Sequence, residues 1–276
     1  ELGDELPPPS APPVPTKGVA VQFATLWIGQ CLGPYEWACI ESFPAKGASL
    51  DVYSYYKGLQ IPTGAVLKDA AQIVPRESIF DNPQKPGSFA FFSNYFRYVL
   101  LQSAEVVWVD ADILLNDPEQ FERGFNLGFE EPLKVNGAVL GIPPDHPALE
   151  FLKTESWARS REASVRWGAL GPNLLTEAVD RFQLWEQVAP RRRFYPINLG
   201  ELWRLYDPAS LNWVNRRVSG AATIHLWNEY LTRSSQKVKE KSPPSGSFIA
   251  SVLSSSRSTG DRSALPALDS TWSRAQ

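Results

Sequence analysis

Apolar runs of strand length alternate with longer helical patterns along most of the chain. Residues 19–28 (VAVQFATLWI) read as a buried first strand closed by Gly29, residues 50–55 as a second, and residues 105–110 (EVVWVD) as a third. Between the last two, residues 88–102 are almost wholly apolar and of helix length. A further strand is expected at 136–142, and helices at 147–156 and 172–182. Strands alternating with helices predict an α/β chain with a parallel-rich sheet and crossover helices.

The pattern fails at both ends. Residues 1–17 are acidic and then proline-rich, which favours an extended linker with little to bury. From about Ser234 the chain is rich in Ser, Lys, Arg and Pro, with 247–253 (SFIASVL) as a short element able to dock. The expected organisation is a linker over 1–18, one folded domain over 19–233 and a largely flexible tail over 234–276.

Composition narrows the function. The 276 residues carry a net charge of −3, which gives no general preference for nucleic acid or anionic membrane. The cluster Arg191-Arg192-Arg193 suits either a solvated loop or an acceptor or lipid contact. Two cysteines, Cys31 and Cys39, are too few for a disulfide framework, and a helix between them would hold them about 12 Å apart, too far to bridge. With no Asn-x-Ser/Thr site and no apolar run of about 18 residues, a cytoplasmic protein is expected. Contact with a membrane surface is left open, as is a Golgi-lumen location should an anchor precede Glu1.

The candidate chemistry begins at the third strand. Val106-Val107-Trp108-Val109 runs into Asp110-Ala111-Asp112, two carboxylates one residue apart at a strand's carboxyl end, where open α/β sheets bind ligands. Hard oxygen donors suit Mg2+ or Mn2+ bridging a diphosphate; a turn or helix cap is the competing explanation. Ser93, Asn94 and Arg97 fall at i, i+1 and i+4, one polar strip on an apolar helix. By helical rise Asn94 lies about 12 Å back from Gln102, while the strand climbs about 16 Å the other way. The strip therefore sits beside the two aspartates. Of two histidines, His146 lies in Pro-Pro-Asp-His-Pro, a helix start, and His225 is the better chemical candidate.

These features, with Leu26-Trp27-Ile28-Gly29, Gly171-Pro172-Asn173-Leu174-Leu175-Thr176 and His225-Leu226-Trp227-Asn228, resemble retaining glycosyltransferases of the GT-A fold whose sugar-binding region carries a DXD motif. The likeness is to glycosyltransferase family 32, with α-1,4-galactosyltransferases and initiating mannosyltransferases among its relatives, and the last two motifs look most like the α-1,4-galactosyltransferase branch. It implies a single Rossmann-like nucleotide-diphospho-sugar transferase domain that moves a hexosyl unit from a UDP-sugar, or a GDP-sugar, to a hydroxyl of a glycan or glycolipid, as in polysaccharide biosynthesis. It further implies Mn2+ or Mg2+ as cofactor. By the same resemblance Leu26, Trp27 and Ile28 flank the base. Asp110 binds ribose and, through water, the metal, while Asp112 ligates the metal directly and His225 contacts metal or diphosphate. Arg97 and Asn94 meet the donor sugar or diphosphate, and Asn136-Gly137 approaches the reacting sugar. The family usually has Asp where this chain has Asn94, an amide that donates as well as accepts. That departure supports an alternative, a catalytically inactive module that binds nucleotide sugar or glycan. A metal-dependent phosphohydrolase ranks third, for want of further acidic or histidine ligands.

Overall fold

The computed structural model describes residues 21–82, 87–162, 165, 166, 168–233, 239 and 241–259. The expected linker at 1–18 and, within the expected tail, 234–238, 240 and 260–276 lie outside the described residues. In chain order the strands are β1 (Gln22–Trp27), β2 (Ser49–Ser54), β3 (Val66–Asp69), β4 (Val107–Val109), β5 (Ile113–Leu115), β6 (Asn126–Glu131), β7 (Lys134–Gly141), β8 (Val188–Ala189) and β9 (Thr223–His225). The α-helices are α1 (Pro34–Glu41), α2 (Ala90–Ser103), α3 (Pro147–Arg159), α4 (Pro172–Arg181), α5 (Arg191–Phe194), α6 (Leu211–Val218), α7 (Asn228–Arg233) and α8 (Phe248–Thr259).

Seven strands form one sheet in the order β3-β2-β1-β4-β7-β6-β8. Strands β3, β2, β1 and β4 are parallel, and β7 alone runs against both of its neighbours. The parallel-rich expectation therefore holds, with one reversed strand. Side-chain alternation assigns the two faces. On β4, Trp108 joins Phe92, Phe96 and Leu100 of α2 in one core, while Val107 and Val109 join Phe23, Val52 and Val139 in a second. Strands buried on both faces read as continuous apolar runs, which is why β1 and β4 stand out in the sequence.

The pairing that builds the site is separate from this sheet. Beyond the turn at Asp110–Ile113, β5 pairs antiparallel with β9, setting Ile113 opposite His225 and Leu115 opposite Thr223. A third core fills the space around α1, α6, α7 and α8. Here the docked element expected at 247–253 extends to Thr259 and buries Ile249 and Leu253. The folded unit thus draws on residues beyond 233.

Candidate active site

The β5–β9 ladder brings together carboxylate and imidazole groups more than a hundred residues apart. Asp112 immediately precedes β5, its carbonyl accepts the Leu226 amide at 3.0 Å, and its Oδ2 lies 3.3 Å from His225 Nε2. The Asn228 amide donates to the same Oδ2 at 2.8 Å. Asp110, Asp112 and His225 each offer a donor atom, all within 4.8 Å of one another. Two carboxylates and an imidazole suit Mn2+ or Mg2+ completed by water and diphosphate oxygens, so the donor set fits the metal implied by the resemblance.

Burial and charge act against each other within this cluster. Burial pushes the Asp112 carboxyl up, but the charge and hydrogen bond of His225, the Asn228 amide and Lys239 outweigh it, holding Asp112 below its ordinary range. Burial lowers the His225 imidazole, yet Asp112, with Asp110 and Glu130, raises it above its ordinary value. The His225 ring stacks on Trp227 at 4.0 Å between centroids, with Tyr195 at 5.9 Å. Trp227 itself adopts φ +54°, a left-handed conformation for a large side chain, and donates its indole N–H to the Ile197 carbonyl.

Asp110 is held from behind. Its Oδ1 accepts Trp108 Nε1 at 2.8 Å and pairs with Arg97 Nη2 at 3.2 Å. Arg97 is buried, lies over the Trp108 ring at 5.2 Å and donates through Nη1 to the Gly137 carbonyl. Its Nε has no hydrogen-bond partner among the described residues. A Cβ at position 137 would collide with the guanidinium, so glycine is what lets β7 approach Arg97. Of the predicted polar strip, Arg97 is committed to Asp110 and Ser93 lines the cleft with Asp112. Asn94 rests against Gly171 at the start of α4, where an added Cβ would stand 3.0 Å from its Oδ1. Asn136 bonds Glu130 through Nδ2 at 3.0 Å and accepts the Ala138 amide at 2.7 Å, so its side chain braces the β6–β7 turn.

An open cleft of about 170 Å³ adjoins the cluster. Of the sequence candidates, Leu26, Trp27, Ile28, Ser93 and Asp112 line it. Trp27 is fixed by its indole N–H to the Cys31 carbonyl at 2.9 Å. Cys31 lies before α1 and is exposed, Cys39 lies within it and is buried, and both are free thiols. Two charged cleft residues escaped the sequence reading, Glu36 and Glu229, while Asn228 entered it only as the end of the His225–Asn228 motif. Glu36 gave no signal, because a glutamate in a helix's first turn is ordinary. The described lining residues include neither Lys nor Arg, so the charged groups facing the cleft are carboxylates.

Other candidates resolve structurally. His146 caps α3, Nδ1 accepting the Ala148 amide at 3.2 Å. In the arginine cluster Arg191 pairs with Glu201 at 3.9 Å, and Arg193 donates to the Gln120 carbonyl and lies over Phe194. Among the described residues no helix is long and apolar enough to cross a membrane.

Residues 163–246 match the alpha 1,4-glycosyltransferase conserved region. That span contains Gly171–Thr176 and His225–Asn228, while β1, Arg97 and the aspartates lie outside it. With the mixed α/β sheet and the acidic cluster at its edge, this match supports a glycosyltransferase of the GT-A type. A solved structure, PaToxG Glycosyltransferase, aligns with TM-score 0.43 and 11% identity over 61% of this chain and 76% of its own. No curated protein sequence matches the chain.

Proposed function

We propose that the chain moves a hexosyl unit from a nucleoside diphosphate sugar to a hydroxyl of a glycan or glycolipid, with a divalent metal and with retention at the anomeric carbon. A UDP-sugar is the first candidate donor and a GDP-sugar the second. The observation that carries this reading is the meeting of Asp110, Asp112 and His225 at the edge of the cleft lined by Leu26, Trp27 and Ile28. Mn2+ or Mg2+, when bound, supplies charge neutralisation for the leaving diphosphate.

The chain's own groups do the rest. Arg97 and Trp108 orient Asp110; the Asn228 amide orients Asp112. Trp27 offers an indole at the cleft wall on which a base can stack, its N–H already committed to Cys31. Retention rests on the family likeness, and no side chain is assigned as nucleophile.

Calorimetric or saturation-transfer NMR screening of nucleotide sugars, with and without Mn2+, tests the proposal, followed by assay of nucleoside diphosphate release. Metal-dependent binding and release are expected. Binding without release from any donor selects the inactive module, and phosphoester hydrolysis without sugar transfer selects the phosphohydrolase.

A further inference from the structure

Glu36 is a cleft residue whose buried network lies outside the Asp110–Asp112–His225 cluster. It stands in the first turn of α1, close against Gly33, where the Glu36 carboxylate occupies the space a Cβ would need. Its side chain is 3% exposed, and Oε1 accepts two bonds of 2.6 Å, from Asn228 Nδ2 and from Lys239 Nζ. Lys239 also lies over the Tyr35 ring at 5.3 Å. A buried carboxylate needs partners of this kind, but these partners are not arbitrary. Asn228 is the residue whose backbone amide holds Asp112 Oδ2 at 2.8 Å. It begins α7, three residues after His225, and follows the left-handed Trp227 on which the imidazole stacks.

We propose that Glu36 is a positioning residue for the metal site, acting through Asn228. The carboxylate clamps the Asn228 side chain, which fixes the backbone from His225 to Asn228. That backbone sets the direction of the amide on Asp112 and the plane of the His225 ring. Groups that orient metal ligands without touching the ion commonly matter 10–100-fold in metal affinity. The inference rests on the metal reading above and deepens it: α1, with no ligand of its own, supplies the support for two of the three ligands. Lys239 neutralises Glu36, so the clamp does not itself compete for the cation.

The test is Mn2+ affinity of the full chain, measured by calorimetry or electron paramagnetic resonance without any donor, in Glu36→Ala, Glu36→Gln, Asn228→Ala and the double variant Glu36→Ala/Asn228→Ala. Thermal unfolding confirms that each variant is folded. Glu36→Ala and Asn228→Ala should each weaken Mn2+ binding about 10-fold or more. The double variant should be no weaker than the worse single one, and Glu36→Gln, which keeps an acceptor for Asn228, should recover part of the loss. Should stranding Lys239 unfold the Glu36 variants, Asn228→Ala leaves that ion pair in place and must still show the loss. Losses that simply add, or an affinity within about twofold of native in any folded single alanine variant, overturn the proposal. Native protein that binds no Mn2+ overturns the metal reading and this inference together; native binding with unaffected variants overturns this inference alone.

Discussion

Replacing Asp112 by asparagine separates a metal ligand from a structural acid, because stability and metal response should move independently. In the metal-free protein this carboxylate accepts the Asn228 amide at 2.8 Å and faces His225 Nε2 at 3.3 Å, with side chains only 15% and 8% exposed. Asparagine keeps an oxygen for the amide but removes the charge that raises the His225 pKa. The imidazole can then give up any proton it holds, which avoids the 3–5 kcal/mol typical of stranding a buried charge. What remains is a weakened charge-assisted hydrogen bond, about 1.5–3 kcal/mol. For a chain of this size about 1 kcal/mol shifts Tm by roughly 2–4 °C, so Asp112→Asn should melt roughly 3–12 °C lower. Native protein with free Mn2+ at about 100 times Kd should gain about 2.7 kcal/mol, or roughly 5–11 °C. Asp112→Asn should gain nothing measurable. Circular-dichroism melts with and without Mn2+ read both numbers. An Asp112→Asn protein that still rises with Mn2+ as the native one does would refute the assignment.

The other predictions concern the cleft wall, the proton and the fold. Trp27→Ala should leave Mn2+ affinity unchanged but weaken nucleotide-sugar binding by about 1–3 kcal/mol, the range for one base stacked on an aromatic ring; titration of the donor in saturating Mn2+ checks it. Because the His225 pKa is raised, Mn2+ must displace a proton, so affinity should climb with pH and level off above that raised value; calorimetry in buffers of different ionisation enthalpy should register proton uptake by buffer below the plateau. In the metal-free protein the same pair gives a stability window. Its lower edge comes from Asp112, whose contribution is lost as pH falls through its depressed value; its upper edge comes from His225, whose contribution is lost as pH rises through its raised one. Ile249→Ala, at a fully buried position of α8, should cost about 2–5 kcal/mol in chemical denaturation; an effect under about 0.5 kcal/mol would show that α8 is not part of the cooperative fold.

What the sequence revealed depended on length and contrast. Residues 19–28 and 105–110 announced themselves because strands covered on both faces are continuously apolar, and Asp110 and Asp112 broke that run abruptly. Only Val107–Val109 of the third run pairs in the sheet, since Asp110 already turns toward β5. Strands β5 and β9 are three residues each, too short to carry a period, and their pairing is a long-range fact that no local pattern encodes. That pairing gives His225 its place. The C-terminal helix was seen only in part, because a run of serines from Ser254 dilutes its apolar face. Helix and strand directions placed Arg97 beside the two aspartates, but the reading gave it to the donor; that it pairs with Asp110 and contacts Gly137 did not follow from the sequence.

Charge explains why the site needs more than the protein supplies. A diphosphate entering this cleft meets Asp112 and Glu229 on the described lining, with Asp110 beside them, while Glu36 is already neutralised by Lys239. The nearby cations are engaged, Arg97 by Asp110 and Lys239 by Glu36. A unit negative charge about 4 Å from a carboxylate costs about 4 kcal/mol at an effective dielectric near 20. Protonation does not relieve it, because Asp112 is held below the ordinary carboxylate range. A divalent cation between carboxylates and diphosphate reverses the sign of each such contact. A module that bound only neutral glycan would gain nothing from an acidic floor whose remaining cations are already paired. The arrangement favours a ligand that carries strong negative charge and arrives with a metal, which is what a nucleotide-sugar donor does.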